Sequence, residues 1–247
     1  MLPISALLEP RPRLDAPGVV DSWFHDIATR LLGSCRLRAA DSSSRLVEIE
    51  LYYDSKEHPD PFAHRHPEQA SPERWYFHRI GESYRGGSFK GLDLTFGNGG
   101  AHGGILIRSL ETSEGRVVVG PSLCVDHLLA TTGSPSVAAL ARMIGGRHAT
   151  DPESPLQLID ESNGNGQRDV RLFRSARVGL SLKRHNDAIA ADRLVRPYRF
   201  LTEPRRVTKG RPELIGALLS AGHSPEDVHR LTGSPMKTIR ALKPDGK

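Results

Sequence analysis

Residues 45–53, RLVEIELYY, alternate in character: Val47, Ile49 and Leu51 interleave with Glu48, Glu50 and Tyr52. A period of two puts the first set on one face of a strand and the second on the other. Such alternation is ordinary for an antiparallel strand with one face in water. The sharper reading is a carboxylate beside an aromatic platform, lining a site. Upstream, VVDSWFHDIATRLLG has apolar residues at helical spacing and a closing glycine, which predicts a capped helix over 19–33. SKEHPDPFAHRHPEQASPER (55–74) reads as loop, and residues 83–111 as strand segments punctuated by glycine, the mark of bulges or close backbone approach. GRVVVG is a further short strand. PSLCVDHLLATTG and SPSVAALARMIGG predict two helices, each with a serine near its start and a glycine at its end. ESNGNGQRDV is a turn, and RLFRSARVGLSL and PYRFLTE predict the last strands. Strands and helices without strict alternation point to an α+β fold, a curved and mostly antiparallel sheet with packed helices.

The pattern changes after about residue 203. RPELIGALLSAGHSPEDVHRLTGSPMKTIRALK carries three short apolar periodicities: Leu214, Ile215, Leu218 and Leu219; then Val228 and Leu231; then Ile239 and Leu242. Ser224–Pro225 and Ser234–Pro235 each read as an N-cap followed by proline at the first helical position. The short glycine-containing turn before the third helix suits a small all-α helix-turn-helix module. Its third helix would present Lys237, Thr238, Arg240 and Lys243 to phosphates and base edges. A three-helix cap or dimerisation element has the same pattern. The expected organisation is a leader and helix over 1–34, a body over 35–203, and this module over 204–247.

Composition narrows the classes. With 37% hydrophobic and 26% charged residues, and no apolar run near ~20 residues, a membrane span is not expected. MLPISALLEPRPRL is broken by proline and makes a poor secretion signal. Cys35 and Cys124 are too few for a disulfide framework or a zinc site, so the expected location is cytoplasmic or nucleoid-associated. The net charge of +5 is unevenly spread: residues 168–247 hold 18 Lys/Arg against 8 Asp/Glu, a balance of +10, leaving −5 for the rest. A basic C-terminal third on a mildly acidic body suits a polyanionic partner such as nucleic acid.

Six fragments in order, RLVEIELYYD, DPFAHRH, GILIRSLE, VGPSLC, ARVGL and RPYRFL, resemble the alkyladenine (3-methyladenine, or methylpurine) DNA glycosylase family. That family's pattern runs V-E-T-E-A-Y, A-A-H-S, V-L-(I/L)-R-A-L-E, G-P-x-K-L-C, A-R-V-G and P-x-R-F, and the resemblance covers roughly residues 35–203. It implies that Glu50 positions and deprotonates the attacking water, that Tyr52 stacks on the flipped base, and that His64 and Arg108 attend the pocket and the water. Glu48 also matches a family glutamate, one without the chemical role. The chemistry is consistent. Breaking a base–sugar bond builds positive charge on the sugar, which a carboxylate stabilises, and a base in a duplex must be extruded to be reached.

The departures bear on the substrate. Where the family has a tyrosine-rich stretch, this chain has YRGGSFKGLDLTFGNGG. Gly86 and Gly87 replace bulk, Phe89 is the candidate wedge for the vacated stack, and Asp93 or Asn98 takes the position that discriminates between bases. An altered pocket suggests either alkylated purines (repair) or a bulky modified base such as glucosylated hydroxymethylcytosine of phage DNA (antiviral defence). The expected partner is double-stranded DNA containing modified bases, met by a monomer, with no cofactor. The His58, His64 and His66 cluster lacks ligand spacing, so no metal is expected. GNGGAHGG lacks the Gly-Lys-Ser/Thr of a P-loop. A reading of another class is a non-catalytic DNA-binding regulator on the same fold.

Overall fold

A computed structural model describes residues 3–11, 13–162, 168–183, 185 and 187–242. In chain order the elements are α1 (Ile4–Leu8), α2 (Val19–Ser34), β1 (Cys35–Ala39), β2 (Ser42–Asp54), β3 (Trp75–Phe77), β4 (Arg79–Ile80) and β5 (Ser83–Tyr84). Then come β6 (Leu92–Thr95), β7 (His102–Glu111), β8 (Val117–Val119), α3 (Pro121–Thr131), α4 (Val137–Ile144) and β9 (Leu156–Asp160). The chain closes with β10 (Phe173–Ser175), α5 (Ala188–Val195), β11 (Arg199–Leu201), α6 (Arg211–Ser220), α7 (Pro225–Thr232) and α8 (Met236–Ala241). Among the described residues no helix is long and apolar enough to cross a membrane.

The fold mixes helices with an antiparallel sheet, the class that the patterning implies. β2 is its spine. One edge pairs along its length with β7; the other pairs first with β1 at Ser42–Arg45 and then with β11 at Glu48–Glu50. The order β10-β11-β2-β7-β6-β3 extends the sheet on both sides. Leu46, Ile49, Leu51 and Tyr53 of β2 join Trp23, Phe24, Ile27 and Leu31 of α2 in the main core. Aromatic edges lock this layer: Trp23 meets Tyr53 at 5.1 Å and Phe24 meets Tyr198 at 4.8 Å between ring centroids. Such pairs contribute about 0.5–1.5 kcal/mol each beyond the area they bury.

Several expectations are corrected. The polar face of β2 does not meet water: Glu48 and Glu50 are as buried as Ile49, so the strand is covered on both sides. Val47 lies outside the main cluster, which takes Leu46 instead, because the β2–β7 register slips between Leu46 and Ile49. Gly33 does not end α2. It sits inside the helix where a Cβ would lie 3.3 Å from the Arg168 carbonyl, a close-approach glycine and not a cap. Of RLFRSARVGLSL only Phe173–Ser175 is strand.

The three C-terminal helices form where their periodicities place them, around Leu214, Ile215, Leu218, Val228 and Ile239, and this cluster includes Phe173 and Leu201 of the sheet. Ser224 caps α7 through the Asp227 N–H as expected. Ser234 does not cap α8: Pro235 holds the cap position, and Ser234 turns inward to accept from Arg211 at 3.2 Å. Phe24→Ala, which empties a wholly buried ring site, is expected to cost about 3–5 kcal/mol of stability in chemical denaturation.

Candidate active site

One register slip, between Leu46 and Glu48, leaves Val47 as the extra residue on β2; a second, between Glu48 and Ile49, leaves Arg108 as the extra residue on β7, since Ile107 pairs with Ile49 and Ser109 with Glu48. A bulge re-aims side chains, and here it turns two consecutive residues onto one carboxylate. Arg108 Nε donates to Glu48 Oε1 at 3.0 Å, and the Ser109 hydroxyl donates to Glu48 Oε2. Arg199 Nε, from β11, donates to the same Oε1 at 2.6 Å. Burial opposes the charge on Glu48, but Arg108, Arg199 and Ser109 together outweigh it and hold its pKa below the ordinary value.

Glu50, two residues on, has fewer partners. Its Oε1 accepts the Val178 N–H at 2.7 Å and lies 3.3 Å from Arg108 Nη1. Burial pushes its pKa up, and Arg108 and the Val178 N–H offset this only in part. Two carboxylates on one strand face are thus driven in opposite directions, the pattern that separates acid–base from structural roles.

Tyr52 continues the same face. A Cβ at Gly104 would collide with the Tyr52 hydroxyl, so the missing side chain lets the phenol lie across β7. There it donates to Asp93 of β6, and Gln69 Nε2 donates to its oxygen. His78 Nε2 lies 2.9 Å from the other Asp93 oxygen. Burial opposes the Asp93 charge, and His78 and Tyr52 outweigh it, leaving its pKa low. Leu106 pairs with Glu50 on one side and Asp93 on the other, so it forms the half-buried floor between them. His64 sits edge-on to His78 at 4.3 Å and to Tyr76 at 6.2 Å between centroids. Loss of water around its ring, then the His78 charge, depress its pKa, so it is a neutral imidazole at pH 7.

The segments that bring Val178 and His64 to the site are clamped together. Arg177 Nη1 lies 2.9 Å from Asp60 Oδ2, and both residues are buried. Beside this clamp a cleft of about 410 Å³ opens, lined by Phe62, His64, Gly179, Leu180, Lys183 and His185.

The structure therefore gathers Glu50, Arg108, Tyr52, Asp93 and His64 on one side of the sheet. Asn98 is not among them: it is exposed and accepts from Tyr53, on the core face of β2, at 3.4 Å. Of the two candidates for that position, Asp93 alone lies beside Tyr52. Phe89 is 69% exposed, at the tip of a 3-10 turn over Gly87–Phe89. That turn is pinned to α3 on both flanks, by Ser122 Oγ donating to Gly87 O at 2.7 Å and by Lys90 Nζ against Asp126 at 2.6 Å. Lys237, Thr238 and Arg240 are exposed on α8; Lys243 lies outside the described residues. The histidines divide: His58 turns into the fold to Tyr53 O and Tyr198, while His66 stacks on Tyr76, the ring that His64 meets edge-on.

Sequence reasoning missed Val178, Arg177, Asp60, Gln69, His78 and Leu106. Arg177 and Val178 stand in ARVGL and Leu106 in GILIRSLE, and Asp60 opens DPFAHRH, so the signal was present as neighbours of residues already singled out.

No family model matches the chain. A protein of Acanthamoeba polyphaga mimivirus, "Uncharacterized protein L759", is 36% identical over 124 residues, which cover 44% of this chain. The chain spans 57% of that relative's length, and the relative's name carries no activity.

Two substitutions test the contrast between the glutamates. Glu48→Gln leaves Arg199 buried without its anion and is expected to cost about 3–5 kcal/mol. Because its folded pKa is depressed, the stability Glu48 contributes is present above the unfolded value and lost as pH falls through the folded one. Glu50 has the opposite sign: its folded pKa is raised, so its ionisation costs stability as pH rises. Glu50→Gln should raise the urea midpoint near about pH 8, with the gain shrinking toward about pH 4; a loss at pH 8 contradicts the assignment.

Proposed function

We propose that the chain is a monofunctional DNA glycosylase that flips a modified base out of duplex DNA and hydrolyses its N-glycosidic bond, leaving an abasic site. The observation that carries this reading is Glu50: a buried carboxylate with a raised pKa, one oxygen held by Val178 and Arg108, two residues from the phenol of Tyr52. A general base works best when its pKa approaches the operating pH, and a carboxylate in a low-dielectric site stabilises a developing cation strongly. Glu50 takes the proton of water as the base departs and faces the positive charge on the sugar. Arg108, fixed by Glu48, keeps one guanidinium nitrogen on Glu50 and holds its second oxygen free for water. Tyr52, His64 and Leu106 offer apolar and π surface to the base, and Asp93 sets its hydrogen-bonding pattern through Tyr52 and His78.

Phe89 suits a wedge because it is exposed on a turn anchored at both ends, so it can enter the stack without the loop yielding. The exposed Lys237, Thr238 and Arg240 of α8 contact DNA beyond the flipped nucleotide, in helix-turn-helix fashion. The cleft beyond His64, about 410 Å³, falls in the range of ligand pockets, roughly 300–1,000 Å³, and supplies room for a substituent on the base. That supports the bulky-base substrate alongside alkylated purines.

The test is base release from duplexes carrying alkylated purines and from phage DNA with glucosylated hydroxymethylcytosine. Wild type should generate abasic sites on at least one of them. Glu50→Gln should lower the rate by about 100-fold or more and keep DNA affinity, and Phe89→Ala should weaken release while sparing Glu50's titration. Binding of every duplex with no abasic site on any would replace catalysis by the DNA-binding regulator.

A further inference from the structure

We propose that Lys209–Gly210, the lead-in to the C-terminal helices, is a positioning element of the active site, so that the seating of the helical unit on the sheet sets where both glutamates stand. Its placement follows from geometry, and its consequence for catalysis rests on the base-excision reading.

Arg199 is fully buried, and its fork reaches past Glu48. Nη1 donates to the Gly210 carbonyl at 2.7 Å and to Ser175 Oγ at 3.1 Å, and Nη2 donates to the Lys209 carbonyl at 2.9 Å. The guanidinium that neutralises Glu48 is therefore completed by the backbone of the two residues preceding α6. A buried donor without an acceptor is costly, so the helical unit and Glu48 hold Arg199 jointly.

Gly210 also touches the other glutamate's support. It caps α6 at φ +70, and a Cβ there would collide with Val178 Cγ2 and lie 2.8 Å from Arg199 Nη1. Val178 is the residue whose N–H holds Glu50. A third limb runs through Lys209, whose side chain covers Gly120 so closely that a Cβ would strike its Nζ. The Gly120 N–H in turn donates to the Arg108 carbonyl at 2.7 Å. Two consecutive residues thus abut the supports of Glu48, Glu50 and Arg108 at once.

The lead-in cannot move independently of the helices. Gly210 O accepts the first α6 bond from Leu214 N at 3.3 Å, and Leu214 is part of the cluster that joins α6–α8 to Phe173 and Leu201. The surface presenting Lys237, Thr238 and Arg240 belongs to this same unit. A duplex bound there loads the element against which Val178 and Arg199 rest, so DNA binding and placement of the carboxylates are linked.

Gly210→Ala in the full chain tests this, with Gly222→Ala as its control. Gly222 has φ +87 in the same helical unit and nothing within 4 Å of a Cβ, so it carries the backbone strain without the contact. The readout is the titration of Glu50 in protein labelled with carboxyl-¹³C glutamate, its resonance assigned by Glu50→Gln. The charged groups acting on Glu50 are Arg108, Glu48 and Arg199. Displacing Val178 and Arg199, which a Cβ at this position meets, weakens two of the three influences that favour its ionised form, Arg108 being the third, so Gly210→Ala should shift its titration upward by about one pH unit. Gly222→Ala should titrate as wild type. Adding Val178→Ala to Gly210→Ala removes the obstructing methyl and should restore the titration. If Gly210→Ala does not fold, Arg199→Lys, which gives up the fork to both carbonyls, should shift Glu50 the same way. A wild-type titration in Gly210→Ala, or in Arg199→Lys if that is the variant that folds, overturns the proposal, as does an equal shift in Gly222→Ala. The titration needs no substrate, so failure of wild type to release any base would sink the excision reading alone.

Discussion

A carboxylate without water must be paired, and Glu48 is paired twice. Arg108 and Arg199 meet on one of its oxygens and Ser109 takes the other. Desolvating such a group costs several kcal/mol unless its partners are well placed, and the fold is arranged to place them. The bulge in β7 supplies Arg108 and Ser109 from consecutive positions, and β11 supplies Arg199 from across the spine strand. The lead-in to α6 completes Arg199. Strand pairing, bulge and C-terminal helices converge on one anion.

What Glu48 gains, Glu50 lacks. With Arg108 anchored on Glu48, only one of its guanidinium nitrogens reaches Glu50, and the remaining support is a single N–H. The protein thus keeps one glutamate charged and spares the other from full neutralisation, leaving it basic. Two positions on, the same face carries a phenol fixed by a buried aspartate, so a carboxylate with a raised pKa and an aromatic ring share one strand. For the proposed base excision, building both on a strand instead of a loop limits misplacement of the two groups.

Much of this was legible in the sequence, and the failures have physical causes. The alternation in RLVEIELYY marked a strand and put Glu48, Glu50 and Tyr52 on one face, because the side-chain period is a property of the backbone. It could not say that this face is buried, since burial depends on the 176–179 segment and Gly210, more than a hundred residues away. The two register slips were invisible, because a single extra residue on either strand, Val47 on β2 or Arg108 on β7, leaves no compositional trace. Gly104 could be read as a close-approach glycine, but the phenol it admits is fixed only by the pairing of β2 with β7. Helix caps divided in the same way. Ser224 followed the local rule, whereas Ser234 was drawn inward by Arg211 and Gly33 was kept small by a neighbouring carbonyl.

The central claim is that Glu50 faces the sugar of an extruded nucleotide. Its most direct test is a crystal structure of the full chain on a duplex containing a pyrrolidine abasic nucleotide, whose ring nitrogen carries the positive charge of the transition state. The account predicts the pyrrolidine nitrogen within hydrogen-bond distance of the Glu50 carboxylate, about 3 Å, the Tyr52 side of the pocket beside it, and Phe89 in the gap left in the stack. An unflipped duplex lying along α8, with no nucleotide at Glu50, would contradict it.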